Sequence, residues 1–298
     1  MTKTLNIQLG IAASLLASLL VAWHPIVNTF ALSLHKDAYT YILLVLPVFA
    51  AMLYLDRQAI RTVAVRNIPV GSTFLAVAIA TTIFTHISYA AVLSADVLLS
   101  ISMLALAVWW IGTFVFWFGI HASRLAWFPL CFLFGIVPLP QIWLDAIVSS
   151  LQYTSASAAH MLFAVVGIPV FQSGNILIIP GLTIQVAQEC SSIRSTSTLI
   201  LTTVVLAHLL LRSPLWKIIV VVAAIPLSIA KNGLRIWTIA MLGTRVDPGY
   251  LTGGFHHHGG VLFFAIALLV IAALLWLGRR WEGNRQFGKP HGRPALTN

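Results

Sequence analysis

Charge is scarce in this sequence: 8% of its 298 residues are charged, and just seven are Asp or Glu. A soluble domain carries about 25% charged residues. With 59% of the chain apolar, that shortage excludes a soluble enzyme, a nucleic-acid-binding domain and a disordered chain. A protein of this size cannot hide so much apolar surface from water. Cysteine is almost lacking as well. Cys131 and Cys190 lie in or beside apolar segments, so no disulfide framework is indicated. A Gly-rich phosphate loop is missing, so nothing points to a nucleotide. Basic residues give a net charge of +10, which in a membrane protein marks cytoplasmic loops rather than a nucleic-acid partner.

What the sequence does have is long apolar runs. Crossing a bilayer takes about 20 mostly apolar residues in a helix. Eight candidates meet that need, at about 6–23, 38–55, 72–92, 97–119, 124–139, 191–211, 216–241 and 258–278. The first is kept as a span rather than a signal peptide, because no small-residue cleavage site follows and Trp23-His24-Pro25 does. The expected fold is thus an all-α polytopic membrane protein in a lipid bilayer. Lys3, Arg57, Arg61, Arg66, Arg124, Arg212, Lys217, Arg279, Arg280, Arg285, Lys289 and Arg293 then fall on one side, twelve of seventeen basic residues. The positive-inside rule makes that side the cytoplasm, with both termini there. Residues 1–278 read as one integral membrane domain, and 279–298 as a disordered basic cytoplasmic tail that anchors the topology.

Residues 140–189 form the one long outer segment and contain no Lys or Arg. Its first half, 142–166, has helical periodicity, with Leu144, Ile147, Val148, Leu151, Ala158 and Leu162 on one face. Its polarity suits a helix at the interface or one that dips into the bilayer. The second half changes period. Ile176–Ile179 and Leu182–Ala187 flank Pro180-Gly181, which predicts a β-hairpin. Such a hairpin serves either as a structured plug or as a ledge for an extended peptide, and it delivers the chain to Cys190.

Three consecutive spans carry groups with chemistry. Cys190 lies where the sixth span starts, and a helix N-terminus favours a thiolate. Arg194 follows four residues later on the same face, and Glu189 either opposes the effect or pairs with Arg194. A buried, inert cysteine is the competing reading. In the seventh span Arg235 lies eighteen residues beyond Lys217, about 27 Å along a helix at 1.5 Å per residue. That puts it in the outer leaflet, as a snorkelling side chain or as part of a site. Asn232, on the same face, favours a site. His256, His257 and His258 open the eighth span. Adjacent positions do not share a helix face, so acid–base catalysis by one of them fits better than a metal site. A thiol, a guanidinium and an imidazole thereby reach one membrane depth.

The run Glu189-Cys190-Ser191-Ser192-Ile193-Arg194-Ser195, the Asn232-x-x-Arg235 pair and the Phe255-His256-x-x-x-Gly260-x-x-x-Phe264 pattern resemble the exosortase/archaeosortase family. Pro138-Leu139-Pro140, Leu144-Asp145, Leu151-Gln152 and Gly167-Ile168-Pro169-Val170 resemble the region before that family's cysteine, so the likeness covers about 125–265. Ser192 stands where the family commonly has Gly. His256 has the spacing to Gly260 that the pattern asks for. The resemblance implies a membrane-embedded cysteine transpeptidase or protease without metal or other cofactor. In it Cys190 is the nucleophile, His256 the acid–base and Arg235 the oxyanion holder, with Arg194, Asn232, Glu189, Ser191 and Ser192 in support. It further implies partners that are exported proteins bearing a C-terminal Pro-Glu-Pro-type sorting signal and a transmembrane helix. These would be processed at the periplasmic face of a bacterial inner membrane, in connection with exopolysaccharide. The competing class is a non-enzymatic permease or assembly subunit for exopolysaccharide export. A conduit needs polar groups at several depths, whereas spans two to four offer little beyond His86 and scattered Ser and Thr.

Overall fold

Six helices among the described residues are long and apolar enough to cross a membrane, and counting two bent pairs as one span each makes eight. The structure is a computed structural model that describes residues 2–87, 93–186, 193–252 and 260–287. The chain divides into two compact units, Met1–Ala146 and Ile147–Asn298. The predicted fold class, helical spans with a small β element after the fifth, is what the chain adopts.

The first unit holds α1 (Thr2–Val21), α2 (Trp23–His35), α3 (Ile42–Leu55), α4 (Arg57–Thr62), α5 (Ile68–Ile87), α6 (Ala95–Leu125), α7 (Trp127–Phe132) and the start of α8 (Gln141–Val165). The first apolar run is not a straight span: α1 bends by 72° into α2. Pro25 accounts for this, because it has no N–H to offer the carbonyl of Val21, the last residue of α1. The fifth run is broken too. α7 and a short 3-10 turn, Leu133–Ile136, lead into Pro138-Leu139-Pro140, beyond which α8 begins. That proline corner is tied down. Ser100 Oγ donates to the Pro138 carbonyl at 2.7 Å and the Tyr39 hydroxyl to the Leu139 carbonyl at 2.8 Å. The Asp96 carboxylate accepts from the Gln141 N–H at 2.7 Å, at the positive end of α8. Cys131, expected from its apolar sequence surroundings to be a packing residue, is instead exposed on α7.

Small and polar residues join these helices where apolar surface alone gives little driving force in lipid. Gly112 of α6 lies so close to α5 that a Cβ there would meet Phe74 Cβ at 2.8 Å. Ser14 of α1 shares a hydrogen bond with Thr113 of α6 at 2.8 Å, and Trp110 Nε1 donates to Ser18 Oγ at 2.9 Å. Gly119 breaks α6 with φ +80, a conformation that a side chain disfavours. It lets the Val65 N–H donate to the Phe118 carbonyl at 3.0 Å.

The second unit contains the rest of α8 and a three-stranded antiparallel meander, β1 (Phe171–Ser173), β2 (Ile176–Ile179) and β3 (Leu182–Gln185), in the order β1-β2-β3. Then come α9 (Ile193–Leu210), α10 (Pro214–Arg245), α11 (Gly249–Thr252) and α12 (Gly260–Phe287). Ile179 pairs with Leu182, so Pro180-Gly181 is a two-residue turn, with Gly181 at φ +81. The predicted hairpin is present. β1 extends it, a strand of three residues whose pattern is too short to signal itself in sequence.

α10 runs through two cores. Its first half packs Val220 and Ala224 against Leu199 and Ala207 of α9 and Ala267, Ile271 and Leu275 of α12. Its second half packs Ile236 and Ala240 against Ala156, Ala159 and Phe163 of α8 and Leu177 and Ile179 of β2. The segment expected as a disordered tail from residue 279 is helical as far as Phe287. A physical reason is Glu282, whose carboxylate accepts from the N–H groups of Arg212 (3.0 Å) and Ser213 (2.7 Å) just ahead of α10. An anion at a helix start meets unsatisfied N–H groups and the positive dipole end. Glu282→Ala is therefore expected to lower stability by about 1–2 kcal/mol, measured as an earlier thermal unfolding transition of the purified protein.

Candidate functional site

Between its two cores, α10 turns polar groups toward its neighbours, and four contacts follow one another along it. Ser228 shares a hydrogen bond with Thr196 of α9 at 2.7 Å. Lys231 Nζ donates to Ser195 Oγ in the first turn of α9. Asn232 Nδ2 donates to Ser155 Oγ of α8 at 2.9 Å. The guanidinium of Arg235 rests against the start of α12, where a Cβ on Gly260 would lie 3.8 Å from its Cζ. Lys231 is 7% exposed and Asn232 1%, so these are interior groups and not a solvated face. Burying such groups is costly unless they are hydrogen-bonded. The serines and threonines of the adjoining helices meet that need.

Gly233 makes the arrangement possible. A Cβ at this position would stand 2.6 Å from Ala158 Cβ and 3.0 Å from the Ala159 nitrogen, so α8 and α10 touch nearly backbone to backbone. The small-residue stretch Ser155-Ala156-Ser157-Ala158-Ala159 supplies the facing surface. Gly233→Val is expected to destabilise the protein by about 1–3 kcal/mol through overpacking, and a thermal-shift measurement checks it. Since the same contact sets the Asn232–Ser155 bond, activity should fall with stability.

The meander fixes how the chain leaves it. The Val186 N–H donates to the Asn175 carbonyl at 2.9 Å, and Asn175 Nδ2 donates back to the Val186 carbonyl at 3.2 Å. Val186 is fully buried in the core shared by α8, β2 and α10. It is the last described residue before the segment that carries the cysteine motif.

Among the sequence-predicted residues, Asn232 and Arg235 are brought together with α8, α9 and α12. Arg194 is exposed at the second position of α9, and Arg235 is half-buried. Glu189, Cys190, Ser191, Ser192, His256, His257 and His258 lie outside the described residues. The chain around them is bounded: 187–192 join Val186 to Ile193, and 253–259 join Thr252 to Gly260. The sequence pattern gives Lys231, Ser155 and Asn175 no part, and Ser195 appears in it only as the last residue of the cysteine motif. A lysine within an apolar span, one turn before Arg235, is a signal of position in the sequence, but its partner is not. The serines are no such signal, because Ser and Thr are scattered through most of the spans.

Chemically, α10 presents two fixed cationic donors, Lys231 and Arg235, one turn apart, in a water-poor setting. Such donors stabilise developing negative charge better than solvent does. Of the thiol, guanidinium and imidazole expected at one membrane depth, the guanidinium of Arg235 alone falls among the described residues. The family model described as transmembrane exosortase matches residues 32–273, well over half of the chain. No curated protein and no solved structure matches it.

Proposed function

The chain belongs to the transmembrane exosortase family, and from that premise we propose that it is a membrane-embedded cysteine transpeptidase or protease. It would act on exported proteins near a C-terminal Pro-Glu-Pro-type signal, at the periplasmic face of a bacterial inner membrane. The observation that carries this is the polar segment of α10. Lys231 bonds to Ser195, three residues past Ser192, and Arg235 meets Gly260, four residues past His256. Chain connectivity limits how far Cys190 and His256 can stray from that guanidinium, since each residue spans at most about 3.6 Å.

In this mechanism the substrate's own helix lies in the bilayer and its scissile bond at the outer face. The Cys190 thiolate attacks the carbonyl, and Arg235 holds the oxyanion of the tetrahedral intermediate. His256 protonates the leaving amine as the thioester forms. It then takes a proton from the acceptor, an amine, hydroxyl or water, as the thioester is broken. Asn232 positions the α10 face through Ser155. Arg194, Glu189, Ser191 and Ser192 are given supporting roles, with backbone N–H groups as candidate further oxyanion donors. No cofactor is needed in this scheme.

The test follows a tagged protein with a C-terminal Pro-Glu-Pro signal in cells carrying this protein or its Cys190→Ala variant. The mass of the new C-terminus is the readout. A Cys190-dependent cut with an added group establishes transfer, and one ending in a free carboxylate establishes hydrolysis. A cut that survives in Cys190→Ala overturns the nucleophile.

A further inference from the structure

A second candidate site lies in the first unit, on residues that carry no catalytic assignment. A cavity of about 530 Å³ opens among α1, α3, α4 and α6, within the 300–1,000 Å³ range of ligand sites. Its walls are apolar over most of their length. Leu15, Phe49, Leu53 and Trp110 are among the lining residues, and no described residue on it is acidic. One end is different: Arg57 and Arg61 line it there.

The spacing of these residues gives the cavity a direction. Phe49 and Leu53 lie one turn apart on α3, and Arg57 and Arg61 one turn apart on α4, beyond the break at Asp56. All four line the cavity. The slot thus runs from the apolar interior of a membrane-spanning helix to a pair of guanidinium groups at its end. Arg57 is held in place: its Nη1 donates to the Tyr54 carbonyl at 2.7 Å, and its guanidinium lies 3.7 Å from the centre of the Tyr54 ring. A guanidinium has five donors, so most of them stay available for a further partner. Two like charges one helical turn apart repel each other, and an anion between them removes that cost.

We infer that this cavity binds an acidic glycerophospholipid, with an acyl chain in the slot and the phosphate on Arg57 and Arg61. The occupant is set by what the two ends ask for together. The slot takes a hydrocarbon chain, and guanidinium pairs recognise phosphate through paired N–H groups. A bilayer presents both on one molecule, at the depth where α3 meets α4. A soluble phosphate would satisfy the arginines and leave the slot unfilled. Basic residues at this level also anchor topology, but anchoring does not call for a lined cavity behind them.

The full-length protein in detergent, titrated with phosphatidylglycerol or phosphatidylcholine of identical acyl chains and examined by native mass spectrometry, tests this. Phosphatidylglycerol should bind the wild type in preference. The Arg57→Gln/Arg61→Gln double variant should lose roughly thirtyfold of that affinity, at about fivefold for each basic residue, and lose much less for phosphatidylcholine, whose choline cation offsets its phosphate. Leu15→Trp, which fills the slot, should weaken both lipids while leaving the arginines in place. Excess inorganic phosphate should not displace the lipid. Equal binding of both lipids to the wild type, or no loss in the double variant while it unfolds at the wild-type temperature, overturns the proposal. Displacement by phosphate overturns it in favour of a soluble anion. If the glutamine variant does not fold, Arg57→Lys/Arg61→Lys replaces it. Retaining charge without the planar fork, it should keep part of the preference.

Discussion

Cys190→Ala should abolish substrate processing, with a fall of about 10⁴-fold or more in the rate constant. Removing the nucleophile takes away the covalent path and leaves only binding and electrostatic help, a loss of that order in other covalent hydrolases. The variant should still insert and accumulate in the membrane, because the change removes one heavy atom and leaves a small apolar residue with good helix propensity. Two readouts separate the chemistry from mere folding. A thiol-alkylating reagent applied from outside the cell should inactivate the wild type. A substrate-linked thioester, cleaved by hydroxylamine, should be trapped in the wild type and be missing from Cys190→Ala. Normal processing by the variant would return the chain to the class of non-enzymatic assembly proteins.

Arg235→Ala should lower the rate by about 10²–10³-fold, the usual effect of losing one oxyanion donor. Arg194→Ala should cost far less. The two arginines are distinguished by their surroundings. Arg235 is half-buried, four residues past Lys231 on a helix fixed by Asn232 and Gly233, and its guanidinium lies against Gly260. Arg194 is exposed, where water weakens whatever field it supplies. Arg235→Lys should recover only part of the activity, since a point charge does not reproduce the planar fork. A mainly structural role for Arg235 would instead show as lost protein in the membrane, with normal turnover per molecule. If Arg235→Lys is fully active and Arg194→Ala inactive, the roles are reversed.

Much of this architecture was legible in the sequence because lipid simplifies the code. Apolar length alone marks helices such as α10, and a single unbroken α10 is what the depth estimate for Arg235 required. The hairpin was legible from alternation across Pro180-Gly181, which the register of β2 and β3 reproduces. Other features depend on contacts that pattern does not carry. The bend between α1 and α2 needed Pro25 to be weighed against the carbonyl four residues before it. The helical stretch beyond residue 279 rests on Glu282 meeting a turn some seventy positions earlier in the chain. The candidate site is read from residue types on spans, of which Asn232, Arg235 and Arg194 fall among the described residues. The part of Lys231 was hidden, because a lysine's sequence neighbours do not reveal that Ser195 of another helix accepts from it.

Glu282 also carries a consequence for how the protein is made. It accepts from Ser213 across 69 positions. At about 5–20 residues per second of synthesis, the start of α10 waits roughly 3–14 s for its acceptor to be made. During the later part of that interval α10 is fully synthesised while its leading N–H groups still lack their final partner. The insertion machinery therefore handles α10 as an incompletely capped helix, and its last tie forms only after α12 has been delivered. Maturation of the polar segment is in this sense a late event of biogenesis, timed by a residue at the opposite end of the helix from the candidate chemistry.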